Sequence, residues 1–333
     1  MLITGSAHLQ LGTTSDTAVG NLWFDQTNLA LQYSNIIQGT WSAGGNMISS
    51  RSSLAGAGTS TCALAFGGYP GCRCTEKYNG TSWTAASAMN IGKSNLAGAG
   101  IQNAALAFGG YISSSPPFST CTENYNGTSW SNASAMNIGR GTLAGAGTQN
   151  AALAFGGSDA GGYSACTEKY NGTTWSTGNA MNTARSNLAG VGTQNAALAF
   201  GGYNGTYLPS TEVYNGTSWS AGGNLTVARR ALAGAGTTTA GLAFGGWYYV
   251  TGYGYPPTTC TELYDGTSWS SGGSLIQSRC FPAGAGTQAS GLAFGGIGVC
   301  DPILNYYGFT EAFNGTVYCC CNFTVPVSST NPL

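Results

Sequence analysis

The charged residues that could do chemistry recur at two fixed positions along the chain. Six glutamates and six basic residues repeat in step, in a chain with only 10 Lys plus Arg and 11 Asp plus Glu. A catalytic group is needed once rather than six times, so this recurrence predicts an architectural role. A buried carboxylate needs partners, so we expect each glutamate to accept hydrogen bonds from backbone N–H groups or an arginine. The glutamates are Glu76, Glu123, Glu168, Glu212, Glu262 and Glu311, and the basic residues are Arg51, Lys93, Arg140, Arg185, Arg229 and Arg279.

The other titratable residues do not form a catalytic set. His8, in the N-terminal segment, is the only histidine, which excludes histidine-dependent triads and multi-histidine metal sites within one chain. Asp159 and Asp301 are the formal candidates for glycoside hydrolysis by carboxylates alone, but no two carboxylates outside the repeat are close in sequence. We therefore predict a protein that is not an enzyme, with no cofactor and no metal site.

The 11 cysteines are an odd number and lack the double Cys-x-x-Cys spacing of a zinc site. Cys72 with Cys74, and the run 319–321, could bind a metal, but small buried hydrophobic residues with one or two disulfides are the better interpretation. Cys72 and Cys300 could form a disulfide within their own loops or with a neighbour. Cys74, Cys121, Cys166 and Cys260 occupy equivalent repeat positions, which we expect to be too far apart for a disulfide.

A repeat of 42 to 50 residues positions the recurring charges. Each unit has a strand of small residues such as 143–148, an apolar strand ending in Phe-Gly-Gly, a strand with Thr-Glu and a strand that begins at Trp. Asn-Gly or Asp-Gly, the signature of a type I′ turn, joins the third strand to the fourth. Four short strands per unit and no helical period predict an all-β fold, a β-propeller.

The number of units predicts six blades. There are six copies of each strand type, but Tyr318 stands where the last unit should have its Trp, and Trp41 precedes the first small-residue strand. We expect the strand from Trp41 to complete the last blade; the alternative is seven blades. The predicted domains are an N-terminal hairpin and attachment segment at 1–40, with strands at 21–25 and 29–33, the propeller at 41–318, and a C-terminal tail at 319–333.

The strand order resembles that of kelch repeats over about residues 41–318. In the monotony of its Ala/Gly strand it looks most like the kelch-like tail-fibre and virion proteins of tailed phages, particularly marine ones. The segment Gly20-Asn-Leu-Trp-Phe-Asp25 is similar to segments common in phage tail fibres. The resemblance implies a virion structural protein. Kelch-type copper oxidases use histidine ligands, so that activity is not carried over to this chain.

The loop between the second and third strands is the variable part of the repeat, with 10 to 18 residues from Phe to Glu. Such loops are expected to emerge on one face beside the inter-blade connections, and a constant scaffold with variable loops is typical of binding surfaces. Tyrosines are concentrated there, and they suit recognition of neutral glycans or proteins. The candidate binding residues are Tyr111, Tyr203, Tyr207, Trp247, Tyr248, Tyr249, Tyr253, Tyr255, Tyr306 and Tyr307.

The net charge of −1 offers no basic surface for nucleic acid and no polybasic membrane anchor, and no apolar run is long enough to span a bilayer. We predict a non-enzymatic phage virion protein: a tail fibre, appendage or surface-decoration subunit, made in the host cytoplasm and carried on the extracellular particle. The expected partners are other virion proteins, a host-surface glycan and further copies of the chain. The alternatives are a cellular carbohydrate-binding lectin or adhesin and a purely architectural assembly subunit.

Overall fold

The computed structural model describes residues 20–25, 30–36, 39–112, 118–249, 256–300, 303–315 and 318–322. These residues form strands, turns and irregular segments without helix. No described segment is a helix of the length and apolarity needed to cross a membrane. Two compact units are present: residues 40–314, and a smaller unit from residues 1–39 and 315–333.

Residues 40–314 form six antiparallel four-stranded sheets arranged in a ring, which confirms the six-bladed propeller. We number the blades 1 to 6 in chain order, by their first strands. The first strands are Ala55–Gly58, Ala97–Ile101, Ala144–Thr148, Ala189–Thr193, Ala233–Gly236 and Ala283–Gly286. The second strands are Ala63–Phe66, Ala104–Phe108, Ala151–Phe155, Ala196–Phe200, Gly241–Phe244 and Ser290–Phe294. The third strands are Thr75–Tyr78, Thr122–Tyr125, Thr167–Tyr170, Thr211–Tyr214, Thr261–Tyr264 and Thr310–Asn314.

The fourth strands show how the ring closes. Five of them follow in sequence: Trp83–Ala86, Trp130–Ala133, Trp175–Gly178, Trp219–Ala221 and Trp269–Ser271. Blade 6 takes its fourth strand from the other end of the chain, where Thr40–Ala43 pairs with Thr310–Asn314 and aligns Trp41 with Phe313. The predicted closure is therefore confirmed, and the seven-bladed alternative is wrong.

The first strands line the central channel, and close approach explains why they consist of Ala and Gly. Each first strand contacts the first strands of both neighbouring blades. A Cβ added at Gly145 would lie 2.7 Å from the carbonyl oxygen of Gly98 and 2.7 Å from the Phe108 ring. No side chain fits at such a distance, so the glycines let adjacent blades meet at the hub.

An apolar core lies at each junction between neighbouring blades. In the junction of blades 2 and 3, the Phe108 ring packs against Trp175 with centroids 5.0 Å apart, and Met136 of the connecting segment is buried beside them. The same set recurs around the ring. Burial of this much aromatic and aliphatic surface at every junction is the main stabilising contribution to the ring.

The smaller unit is a three-stranded sheet of Gly20–Asp25, Ala30–Ile36 and Tyr318–Asn322, with Ala30–Ile36 in the centre. The first two strands pair antiparallel, as the predicted hairpin requires, and their connecting turn lies outside the described residues. Part of the predicted C-terminal tail is thus the third strand of this sheet. The attachment role assigned to 1–40 stays a prediction.

Cys72 and Cys74 form a disulfide within the loop of blade 1, one of the two pairings that the sequence left open for Cys72. Cys121, Cys166 and Cys260 are free thiols, in agreement with the prediction that equivalent positions do not pair. The side chains of Cys300 and of 319–321 lie outside the described residues. Among the residues that are described, no three His, Cys, Asp or Glu side chains cluster as metal ligands would.

Candidate functional site

The recurring glutamates and basic residues form one buried ion pair in each blade. In blade 3, Arg140 Nη2 donates to Glu168 Oε1 at 2.8 Å, and the backbone N–H of Asn137 donates to Glu168 Oε2 at 2.7 Å. The partners predicted from the sequence are therefore present. The six pairs are Arg51–Glu76, Lys93–Glu123, Arg140–Glu168, Arg185–Glu212, Arg229–Glu262 and Arg279–Glu311.

The basic residue also ties together three parts of its blade. Arg140 lies on the segment that enters blade 3, and its Nη1 donates to the carbonyl oxygens of Gly156, at 3.0 Å, and Cys166, at 2.6 Å. Gly156 directly follows the second strand and Cys166 directly precedes the third. Arg185 and Arg279 make the equivalent contacts in blades 4 and 6. In blades 3, 4 and 6 these side chains therefore fix both ends of the variable loop.

Burial makes these pairs unsuitable as exchangeable acids or bases. The pKa of Lys93 is lowered mainly by burial, with the charge of Glu123 opposing the shift. The same desolvation lowers the pKa of Arg140 and of Arg229. Both members of every pair are almost completely shielded from solvent, so no substrate reaches them. Their structural role stays a prediction that measurements of stability can test.

The variable loops lie beside the inter-blade connections, as the propeller topology predicts. Tyr111 at the start of the blade 2 loop forms a β-bridge with Ser94, and Tyr203 in blade 4 forms one with Ser186. Equivalent bridges occur in all six blades. Two loops carry small hairpins of their own, Ser158–Asp159 with Gly162–Tyr163, and Ile297–Cys300 with Ile303–Tyr306. The loops and the connections therefore share one face, which we call the loop face.

A closed ring of backbone hydrogen bonds surrounds the mouth of the channel on the loop face. Each participating residue is a non-glycine residue with φ between 52° and 56° and donates its N–H to the carbonyl of its counterpart in the preceding blade, at 2.8 to 3.1 Å. These residues lie two positions after the repeat's basic residue, a regularity that the sequence interpretation missed. They are Ser53, Asn95, Thr142, Asn187, Ala231 and Phe281.

The predicted binding residues occupy different positions on the loop face. Tyr249 is 57% exposed, and Tyr306 is 38% exposed and stacks on Tyr69 of the adjacent blade with centroids 5.8 Å apart. Tyr111 and Tyr248 are half-buried, and Tyr111 packs against Phe118 of its own loop. The structure therefore brings some of these side chains to the surface in pairs that span two blades.

Tyr203, Tyr207 and Trp247 converge on one arginine, Arg230. Its guanidinium carbon lies 4.5 Å from the centroid of the Tyr203 ring, 5.2 Å from that of Tyr207 and 5.5 Å from that of Trp247. Tyr163 of the blade 3 loop extends this group through an edge contact with Tyr203. Arg230 follows Arg229 directly and does not recur in the other units, and the predicted binding residues did not include it. Its irregular place, one position after the repeat's basic residue, was the signal that could have identified it.

Tyr307 differs from the other described candidates in its burial. Tyr307 is only 8% exposed and lies against Phe309 and the guanidinium of Arg279, so it packs inside its loop rather than serving as an exposed contact. So little exposed surface leaves a ligand few atoms to contact, and the contact role of Tyr307 stays a prediction. Tyr253 and Tyr255 lie outside the described residues.

Asp159 and Asp301 were the formal candidates for glycoside hydrolysis, and the described loop geometry gives no support to that chemistry. Asp159 accepts a 2.8 Å hydrogen bond from the backbone N–H of Gly161 and so shapes its own turn. Asp301 lies outside the described residues, as does His8. What the described part of the loop face offers is aromatic surface, hydroxyl groups and the two arginines Arg73 and Arg230, which can bind a ligand by stacking and hydrogen bonding.

Fold and surface together define a six-bladed β-propeller compatible with a binding or a structural role. No family model matches the sequence, and no curated protein does. Among solved structures the chain is similar to YjhT, with a TM-score of 0.64 and 14% identity over 78% of this chain and 98% of that chain. At that identity the likeness shows the fold alone. Because 194 chains of solved structures match, fold does not assign function here, and function is argued from the loop face.

Proposed function

We propose that this chain is a non-enzymatic structural and binding protein of a phage virion, a tail fibre, appendage or surface-decoration subunit. The loop face would contact a host-surface glycan or a partner protein. The smaller unit would attach the propeller to other virion proteins or to further copies of the chain. Such a protein is made in the host cytoplasm and leaves the cell on the particle. The resemblance to kelch-like virion proteins supports the location, and the loop face supports the binding role.

One observation carries the binding role: aromatic residues from loops of different blades meet on the loop face, while all six repeat ion pairs are buried. Tyr69 with Tyr306, and Tyr163 with Tyr203, are contacts between loops of neighbouring blades. Aromatic rings offer large contact area at low entropic cost. A rigid ring holds these loops in fixed positions, so a ligand that spans two blades meets a preorganised surface.

The binding role is tested with variants on the two faces of the propeller. Tyr306→Ser and Tyr249→Ser remove exposed rings from the loop face. Ile101→Ser is the matched control, since Ile101 is exposed at the turn between the first and second strands, at the opposite ends of the strands. We expect the tyrosine variants to weaken binding to host cells or to a glycan array at least tenfold and the control to bind normally. Equal binding by all three variants would contradict the proposal.

The virion location needs its own experiment. Mass spectrometry of purified particles should find this protein at a defined copy number. Absence from particles, combined with saturable binding to a glycan array, would instead support a cellular lectin or adhesin. Mass spectrometry thus tests whether the protein is part of the particle, and the glycan array tests whether it binds a glycan.

A purely architectural subunit is the second candidate, and the exposed isoleucines favour it. Ile48 is 64% exposed and Ile276 is 53% exposed, at a repeat position that holds Asn or Thr in the other four units. Both lie on the connections that flank blade 6. If Ile48→Asn with Ile276→Asn dissociates an oligomer and loop-face variants leave cell binding unchanged, the architectural role is favoured over host contact.

A further inference from the structure

We propose that Arg230 and the aromatic rings around it form a binding site for an acidic saccharide, one whose sugar carries a carboxylate or a sulfate. This proposal deepens the proposed glycan-binding function and rests on it. The site lies between the loops of blades 4 and 5, from which Tyr203, Tyr207 and Trp247 come. The ligand proposed here differs from the neutral glycans that the loop composition predicted.

Arg230 stands outside the repeat's ion-pair system. The neighbouring Arg229 is the residue that faces Glu262, at 3.0 Å. At the position of Arg230 the other five units have Ser52, Ser94, Gly141, Ser186 and Cys280. An arginine here is therefore not needed to build a blade, and its backbone makes the same bridge, to Trp247, that the small residues make in other blades.

The charge of Arg230 has no carboxylate partner among the described residues. All six repeat glutamates pair with the repeat's own basic residues. Asp159 and Asp265 accept hydrogen bonds within their own turns. A guanidinium held between aromatic rings and without a counter-charge leaves its planar donor edge for an anion, and carboxylates and sulfates match that geometry through two parallel hydrogen bonds.

Two N–H groups on contacting side chains lack acceptors among the described residues: Arg230 Nε and Trp247 Nε1, both shielded from solvent. Buried donors are nearly always paired, so an acceptor that binds beside these side chains would supply a partner that the described residues do not. An apolar group of Ala231, Cys280 and Ile297 packs beside Trp247 and lowers the local polarity, which strengthens a charge-assisted hydrogen bond.

The aromatic rings indicate that the anionic group belongs to a sugar. Tyr203 and Tyr207 meet in an edge contact with centroids 5.5 Å apart, and Trp247 meets Phe281 at the channel mouth at 5.1 Å. The group thus extends from the loop of blade 4 to the mouth, a length that suits a ligand of more than one ring. The C–H faces of a pyranose stack on such rings, while an acidic group on that sugar reaches the arginine.

Titration calorimetry with defined oligosaccharides tests the site. The probes are an oligogalacturonate, a sulfated galacto-oligosaccharide and the neutral galacto-oligosaccharide of equal length. We expect the wild-type protein to bind at least one acidic probe tenfold or more tightly than the neutral one, with affinity that falls as salt is raised. The preferred acidic probe distinguishes a carboxylate from a sulfate. Equal affinity for all three would overturn the acidic assignment while leaving glycan binding intact.

Three variants locate the binding. Arg230→Gln and Trp247→Phe should each weaken the acidic probe at least tenfold, whereas Arg73→Gln, which removes an exposed loop arginine of blade 1, should not. Trp247→Phe keeps an aromatic ring and so provides the test if Arg230→Gln fails to fold. Unchanged affinity in both site variants, no binding of any acidic probe, or equally tight binding of polyglutamate would overturn the proposal.

Discussion

The indole Nε1 of Trp41 donates a 2.9 Å hydrogen bond to Oγ1 of Thr261, joining blade 6 to blade 5. The same bond links every blade to the one before it, and Trp83 closes the circle by donating to Thr310 at 2.8 Å. Trp41 differs from the others because its strand is not continuous in sequence with the blade that it completes. It is therefore the place where ring closure can be tested.

We predict that Trp41→Ala lowers the free energy of unfolding by about 3–5 kcal/mol, because a buried ring is removed. Trp41→Phe should cost about 1 kcal/mol, mainly through the lost hydrogen bond. Trp130, which donates to Thr75 at 2.9 Å within the continuous part of the ring, provides the matched substitutions. Denaturant unfolding measures both pairs.

Because Trp41 lies on the strand that closes the ring, the protection of that strand gives a second measurement for Trp41→Ala. The strand Thr40–Ala43 should lose protection against proteolysis and hydrogen exchange, whereas Trp130→Ala should leave it protected. Equal protection of Thr40–Ala43 in both variants would show that the strand pairing alone holds the ring closed.

Glu123→Ala should lower the free energy of unfolding by about 3–5 kcal/mol, because it leaves the buried Lys93 ammonium without its counter-charge. Replacing both residues, as Lys93→Met with Glu123→Gln, should recover much of that loss. Thermal and denaturant unfolding of the single and double variants measure the difference. An unchanged melting temperature for Glu123→Ala would contradict the structural role of the repeat ion pairs.

Gly109→Ala should destabilise the protein more than Gly71→Ala. Both glycines have positive φ in the left-handed region, 65° and 78°, so both substitutions carry backbone strain of about 1–2 kcal/mol. A Cβ at Gly109 would also lie 2.8 Å from the carbonyl oxygen of Arg140, whereas a Cβ at Gly71 would have no described atom within 4 Å. Melting temperatures should differ accordingly, and similar values would show that the contact at Gly109 relaxes freely.

Asp265→Asn should make the stability of the fold depend less on pH in the acid range. Hydrogen bonds from the backbone N–H of Ser268, and from the side chain and backbone of Thr267, lower the pKa of Asp265. The folded state then holds fewer protons than the unfolded state at acid pH, so stability is lost as the pH falls below about 4. Asparagine occupies this position in the other five units and keeps the turn's acceptor.

The measurement is the difference in melting temperature between wild type and Asp265→Asn from pH 6 to pH 2. We expect the advantage of the wild type to shrink as the pH falls. A constant difference over that range would show that the aspartate's charge contributes nothing to the fold.

The sequence by itself determined the architecture. The repeat in the sequence predicted the strand order, the six blades and the closure through Trp41. Each blade buries its apolar faces against similar neighbours, so every blade must carry the same pattern. The six recurrent glutamates likewise required partners, which the sequence predicted to be backbone N–H groups or an arginine. Only the structure showed that the repeat's own basic residues are those partners. The strand and turn patterns were sufficient to predict the fold because they recur. A wrong assignment in one unit would disagree with the other five.

Tertiary structure decided what does not repeat. Arg230 became a candidate site only when the loops of two blades placed Tyr203 and Trp247 around it, a contact between segments with no periodic relation. Tyr307 looked like its neighbour Tyr306, yet one is buried beside Arg279 and the other is exposed. The backbone ring through Phe281 exists only because six chain segments meet at one axis. Loop conformation depends on neighbouring blades, so the sequence could place the variable loops on one face but could not predict how their side chains are arranged.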